Sequence, residues 1–332
     1  MAKIELKDYY VVNRKVIRLS DRPVSVDCVA KCDLDTLAEL LVKNYNVTVY
    51  DSLSYEGDIL IPYFANPNFK FIKGDILEKD KLQKALEGKD VIIHLAALVG
   101  YAACEKNHNM TQLVNCDATD SLVDMLTPDQ LLLFGSTGSN YGKVPNGVCT
   151  EETPLNPTSL YAETKTYAEK KAMSHGNTIA YRFATAFGSS PRLRLDLLIN
   201  ELTYLAVTQG YIMIYQPEFM RTFIHVRDLV KSFVFGIENA DRMRGEVYNV
   251  GSNKLNYSKR EVCEMIKAKT GCVVTYNDFD SDKDHRDYVV SYDKINTLGF
   301  DTTYTLEEGI DELIRVYQTL NLKDKRHVNA GA

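Results

Sequence analysis

At 332 residues the chain is long enough for one large domain with a lobe, or for two domains, and 45% hydrophobic against 25% charged residues excludes both extreme disorder and a membrane protein. Lysine and arginine number 39 against 45 acids, a net charge of −6, which excludes a broad basic face for nucleic acid and leaves room for a local basic cleft around a diphosphate. The seven cysteines are odd in number and scattered, as in reduced cytoplasmic proteins; Cys28 and Cys32 have no second Cys/His pair at ligand spacing, so no metal site is expected.

The segment Met1–Asp8 lacks the apolar core of a signal peptide, and no run reaches membrane-spanning length, so a soluble, cytoplasmic protein is expected. Tyr9–Val12 and Lys15–Leu19 flank Asn13-Arg14 as the two arms of a hairpin. From residue 23 to about 185, apolar strand-like runs alternate with helical stretches, the pattern of an α/β fold built on a parallel sheet with helices on both faces. Val24–Val29 reads as a first strand, Leu37–Val42 as helix, and Asn46–Tyr50 as a β-branched strand closed by Asp51. Gly74-Asp75-Ile76 follows a third strand, and Asp90–Ala97 is an apolar run ending in small residues.

Leu131–Phe134 is a buried-strand pattern that breaks into Gly135-Ser136-Thr137-Gly138-Ser139-Asn140-Tyr141-Gly142, small and hydroxylated residues at the strand end where ligands of open parallel sheets bind. Tyr161-Ala162-Glu163-Thr164-Lys165 sets a phenol and an ammonium four residues apart, on one face of a predicted helix. A fixed ammonium, reinforced by an oxidised nicotinamide, would lower a phenol from its usual value near 10 by roughly three pH units, enough for a general base near neutrality. Such a pair on a charged helix is ordinarily two solvated side chains, and the neighbouring segments make the difference. Further along, Ser258 with Glu261 and Thr305 with Glu308 have capping-box form. Leu306, Ile310, Leu313, Ile314 and Tyr317 form a stripe expected to pack in a core, and residues 321–332 are polar.

Together these segments resemble the extended short-chain dehydrogenase/reductases, in particular nucleotide-sugar epimerases and dehydratases, over about residues 23 to 320. Asn115 with Thr119, Arg182–Gly188, Arg221–Val226, Tyr248-Asn249-Val250-Gly251 and Arg286 extend the match. Ser189–Asp196 looks like a branch from surface-polysaccharide pathways that includes enzymes oxidising carbon 4 of GDP-heptose. The resemblance implies a Rossmann-type doubly wound sheet with a smaller C-terminal substrate lobe. An extension over 1–22 precedes an NAD-binding domain of 23–185 plus about 225–252; the lobe takes about 186–224 and 253–320, and a tail takes 321–332.

By the same resemblance Tyr161 is the general base, Lys165 holds the nicotinamide ribose and lowers the tyrosine pKa, and Thr137 hydrogen-bonds the reacting hydroxyl. NAD is implied to meet Asp51, Asp75, Ile76, Leu95, Ala96, Ala97, Asn115 and Phe183, with Asp51 gripping a ribose and repelling a 2′-phosphate. A nucleotide-diphosphate sugar would meet Val99, Ser139, Thr185, Arg192, Asn200, Arg221 and Arg286, the last two arginines matching phosphate oxygens in a two-pronged way. His225 reads as a packed structural histidine, and a homodimer through helices near 103–125 and 161–174 is implied.

Three departures matter. Cys28, Lys31 and Leu34 stand where the family has three glycines against the cofactor pyrophosphate, so the loop is either rebuilt and still binds, as the retained downstream positions favour, or binding is weakened or lost. Gly138-Ser139 replaces the Asp-Glu pair of 4,6-dehydratases, and neither does acid/base work at neutral pH, which disfavours water loss and leaves oxidation at carbon 4, as a 4-epimerase or 4-oxidase. Thr185 replaces a common asparagine.

Overall fold

The computed structural model of the chain describes residues 9–12, 15–18, 25–29, 40–54, 57–277 and 286–320. Lys31, Leu34 and the tail 321–332 lie outside the described residues. Tyr9–Val12 and Lys15–Arg18 pair antiparallel, the hairpin read from the sequence.

Seven parallel strands form the central sheet: β1 (Ser25–Val29), β2 (Asn46–Asp51), β3 (Phe69–Lys73), β4 (Val91–His94), β5 (Leu131–Thr137), β6 (Thr178–Phe183) and β7 (Glu246–Val250), in the spatial order β7-β6-β5-β4-β1-β2-β3. These runs form strands because β-branched and large apolar side chains suit a pleated surface that is covered on both faces. Successive residues leave in opposite directions. Val47, Val49, Ile93, Leu133, Ile179 and Tyr181 enter one core with Leu40, Leu41, Phe233 and Val234. Tyr50, Ile92, Leu132, Phe134 and Ala180 enter the other, with Leu82, Leu86, Leu122, Ala168 and Ala172. The helix Val226–Glu238 therefore covers the first face, and Lys79–Leu86, Ala118–Met125 and Leu160–Met173 cover the second. Right-handed crossovers that run outward in both directions from β1 give this two-sided wrapping.

A separate core fills a lobe from Phe187, Leu193, Ile199, Leu202, Phe223, Val262, Ile266, Leu306, Ile310 and Leu313. Its helices include Leu198–Gln209, Lys259–Thr270 and Leu306–Thr319, and the last two begin with the capping boxes Ser258/Glu261 and Thr305/Glu308. Each box satisfies two backbone donors that would otherwise face solvent alone. The apolar stripe of the final helix packs as expected, with Leu306, Ile310 and Leu313 fully buried and Ile314 partly so.

Three donors converge on Glu312 of that helix. His225 Nε2 lies 2.9 Å from one carboxylate oxygen, while Ser189 Oγ and Arg227 NH2 donate to the other at 2.6 and 2.5 Å. Burial opposes the carboxylate's charge, but these three partners outweigh it and hold Glu312 down at about 2. His225 is fully buried and stacked on Tyr304, a packed residue as the sequence suggested.

Candidate active site

The strand order reverses beside β1, where neighbouring crossovers diverge and leave a crevice at the carboxyl edge of a parallel sheet. A cleft of about 640 Å³ lies at these strand ends, bounded by Asp51 after β2, Leu95 and Ala97 after β4, Thr137 of β5 and Phe183 of β6, and continues to Arg192, Asn200, Arg221 and Arg286. Val99, Ser139, Tyr161, Lys165 and Thr185 also line it.

Local sequence explains how the reacting groups are held. Thr137 ends β5 and caps the short helix Gly138–Tyr141 by accepting from Ser139 N at 3.2 Å. Ser159 caps the helix Leu160–Met173 by accepting from Ala162 N at 3.2 Å, so Tyr161 stands in the first turn and Lys165 one turn later. Gly142 is required between them in sequence: its φ is +70°, and a Cβ there would sit 1.9 Å from the Asn156 carbonyl oxygen.

Tyr161 and Thr137 both line this cleft. Burial raises the Tyr161 phenol above its ordinary value, while the Thr137 hydroxyl and the charges of Arg194 and Arg286 pull it down. Lys165 is itself almost fully buried, with Nζ 4.1 Å from the Phe134 ring centroid, and desolvation lowers it to about 7 against the pull of Glu169. His94, below it, is kept neutral, pushed down to about 3 by burial and the Lys165 charge.

Beneath the cleft lies a layer that motif reading overlooks. Glu169, two turns beyond Tyr161 on the same helix, receives Arg182 through Nε at 3.2 and 3.0 Å and NH2 at 2.6 Å. It also accepts from Ser136 Oγ at 2.6 Å and Asn140 Nδ2 at 3.3 Å. Glu169 thereby fixes the floor of the site against β5 and β6. Its spacing of eight residues from Tyr161 was the available signal, since it puts both on one helical face.

The remaining predicted residues are held by contacts of their own. Asn115 is buried and spends its amide on Leu98, accepting from its N at 2.7 Å and donating to its O at 3.1 Å, and on Thr164 at 3.1 Å. Ile76 and Ala96 pack in the second core, and Asp75 is exposed, with Oδ1 accepting from Leu77 N at 2.9 Å. Asn200 borders the cleft but clamps backbone, meeting Gly188 N at 3.1 Å and Arg194 O at 2.9 Å. Lys259, fully buried and donating to Tyr215 O at 2.8 Å, lines the cleft without having been anticipated. Among the described residues no group of three or more His, Cys, Asp or Glu is arranged to hold a metal ion.

The strand order and the cleft at its reversal make this a Rossmann-like α/β protein. Residues 35–251 match the NAD dependent epimerase/dehydratase family, and the chain belongs to that family. It is 27% identical to the low-salt glycan biosynthesis protein Agl12 of Haloferax volcanii, over 82% of this chain and 90% of that one. The dTDP-glucose 4,6-dehydratase of Bacillus anthracis, solved in complex with NAD, has the same fold, with a TM-score of 0.76 and 24% identity over 89% of this chain and 96% of that one. So does the UDP-glucuronic acid 4-epimerase of Bacillus cereus, solved with UDP-glucuronic acid and NAD, with a TM-score of 0.77 and 23% identity over 88% of this chain and 99% of that one.

Proposed function

We propose that the protein is an NAD-dependent oxidoreductase acting at carbon 4 of a nucleotide-diphosphate sugar, as a 4-epimerase or 4-oxidase, in surface-glycan synthesis. The observation that carries this reading is the placement of Thr137, Tyr161 and Lys165 along one cleft that also holds Arg221 and Arg286. The donor set fits NAD: a carboxylate at the end of β2 suits a ribose diol, Lys165 suits the second ribose, and Leu95, Ala97 and Phe183 form an apolar wall. Asp75, Ile76, Ala96 and Asn115 shape the surroundings of that wall.

When bound, NAD supplies the hydride acceptor and a positive charge near the phenol. The chain's own residues do the rest. Tyr161 takes the proton of the carbon 4 hydroxyl, Thr137 orients that hydroxyl, and Arg221 and Arg286 grip the diphosphate, with Arg192, Thr185 and Val99 bordering the sugar. Gly138 and Ser139 offer no acid and base for eliminating water, which favours retention of oxygen at carbon 6 over the dehydratase outcome.

Incubation with GDP-, UDP- and dTDP-sugars, GDP-heptose included, is expected to yield an epimer or a 4-keto sugar with NADH. A 4-keto-6-deoxy product moves the protein to the dehydratases. Denaturing mass spectrometry is expected to find NAD; its absence, and silence in calorimetry at millimolar ligand, favours a sugar-nucleotide binding protein that has lost the cofactor with Cys28, Lys31 and Leu34 in place of three glycines.

The proposal includes a cytoplasmic homodimer. No helix among the described residues is long and apolar enough to cross a membrane, and Cys104, Cys116, Cys149, Cys263 and Cys272 are free thiols. Tyr101, Met110, Leu113 and Tyr167 expose 38 to 47% of their surface on the helices Tyr101–Lys106, His108–Gln112 and Leu160–Met173 and on the π-helix Leu113–Asp117. Two-fold pairing of these helices is expected, and light scattering at micromolar protein should give twice the chain mass; a monomer counts against it.

A further inference from the structure

One wall of the cleft is a loop of the lobe, and the helix Leu306–Thr319 lies behind it. Residues 185–188 and 190–192 border the cleft, as do Arg194 and Asp196 further along. Ser189, in the middle of this run, spends its hydroxyl on Glu312 of the helix, donating at 2.6 Å. One turn earlier Gly309 lets the loop close in on the helix, since a Cβ there would lie 2.2 Å from the Phe187 ring. Further along, Tyr317 OH donates to Asn200 O at 3.0 Å.

Glu312 also reaches a second wall. His225 Nδ1 accepts from Arg227 N at 3.3 Å, so the ring proton sits on Nε2 and is donated to Glu312 at 2.9 Å. His225 ends the strand Met220–His225, whose Arg221 borders the cleft. Gly188, at φ +102°, passes so near this imidazole that a Cβ would lie 2.3 Å from Nε2. One carboxylate therefore pins the loop of Arg192 and Arg194 to the strand of Arg221. Hydrogen bonds to an ionised acceptor are the stronger kind, which suits them to hold a loop in one shape.

We infer that Glu312 is a positioning residue for substrate binding: its bond to Ser189 holds residues 186–197 as a wall of the cleft, so that affinity for a sugar nucleotide depends on it. The inference deepens the proposed function, since it rests on a sugar nucleotide occupying this cleft. Asn200 does a different task, because its bonds to Gly188 and Arg194 close the loop on itself. Glu312 anchors the closed loop to the final helix. An unanchored loop spends part of its time out of the binding shape, and the apparent affinity falls by that fraction.

Ser189→Ala removes the loop's bond and leaves Glu312 paired with His225 and Arg227. Arg227→Ala takes a donor from the same carboxylate without altering the loop, and serves as the control. In the full-length protein, hydrogen exchange read by mass spectrometry is expected to speed up about 10-fold over residues 186–197 in Ser189→Ala, the weight of one hydrogen bond to a charged group, and to stay at the wild-type rate over Leu131–Thr137. Calorimetry with GDP-mannose, UDP-glucose and dTDP-glucose is expected to give Ser189→Ala a dissociation constant about 10-fold higher for each that binds the wild type. Arg227→Ala is expected to stay within about twofold, even where its urea midpoint falls further than that of Ser189→Ala. A residue that served stability alone would make affinity follow the midpoint instead. Three outcomes overturn the inference: loop exchange unchanged in Ser189→Ala, faster exchange with wild-type affinity, or equal loss of affinity in Arg227→Ala. Failure of all three sugar nucleotides to bind the wild type counts instead against a nucleotide sugar as the occupant of the cleft, and the inference falls with that reading.

Discussion

Tyr161→Phe is expected to lower turnover by at least about 100-fold, the loss typical of a deleted general base, while leaving NAD affinity nearly unchanged. The substitution removes one oxygen and almost no contact area, and the half-buried ring keeps its place in the first turn of the helix Leu160–Met173. The nearest hydroxyls do not substitute: Thr137 and Ser139 are aliphatic alcohols that do not ionise near neutrality. Steady-state rates on whichever nucleotide sugar is turned over, set beside calorimetric NAD binding, check both halves. A variant that keeps most of its activity places the proton acceptor elsewhere in the cleft.

The largest expected effect on stability is at Glu169. Arg182 and Glu169 expose only 7 and 4% of their side chains, and the paired guanidinium is held above its ordinary value because the hydrogen bonds and charge of Glu169 outweigh the cost of its burial. Removing one partner of such a pair strands a buried charge, and Glu169→Gln is expected to cost roughly 3–5 kcal/mol. By contrast Lys43–Glu238, with side chains 36 and 47% exposed, belongs to the surface pairs that contribute about 1 kcal/mol or less. Urea midpoints for Glu169→Gln and Glu238→Gln measure the two cases in one protein. Equal midpoints would mean that water reaches the Arg182 site.

The sheet was legible in the sequence because strands buried on both faces read as unbroken apolar runs, as at Leu131–Phe134 and Val91–Ile93. The grouping of Thr137, Tyr161 and Lys165 was legible for a related reason: hydroxyls at a strand end and a helix-face pair are local patterns. What stayed hidden is tertiary. Nothing in the spacing of Ser139 and Arg286, or of Glu169 and Arg182, says that they touch. The backbone contacts of Asn115 and Asn200 were hidden too, since an amide suits a ligand as well as a backbone and only the fold shows that theirs hold Leu98, Gly188 and Arg194. The raised phenol was equally out of reach, because its sign depends on burial and on which cations keep their charge.

The convergence of Ser189, His225 and Arg227 on Glu312 also sets an order of events during synthesis. A ribosome releases Ser189, His225 and Arg227 well before the helix Leu306–Thr319 that carries their acceptor. The seven strands of the sheet can assemble while the nascent chain is still growing, but the loop from Ser189 has no carboxylate to hold it until Glu312 has cleared the exit tunnel. Until then His225 has no Glu312 to meet its Nε2. Premature release of the chain before Glu312 would thus leave a folded sheet beside an untethered lobe, a species that protein quality control can recognise by its exposed helix-binding core.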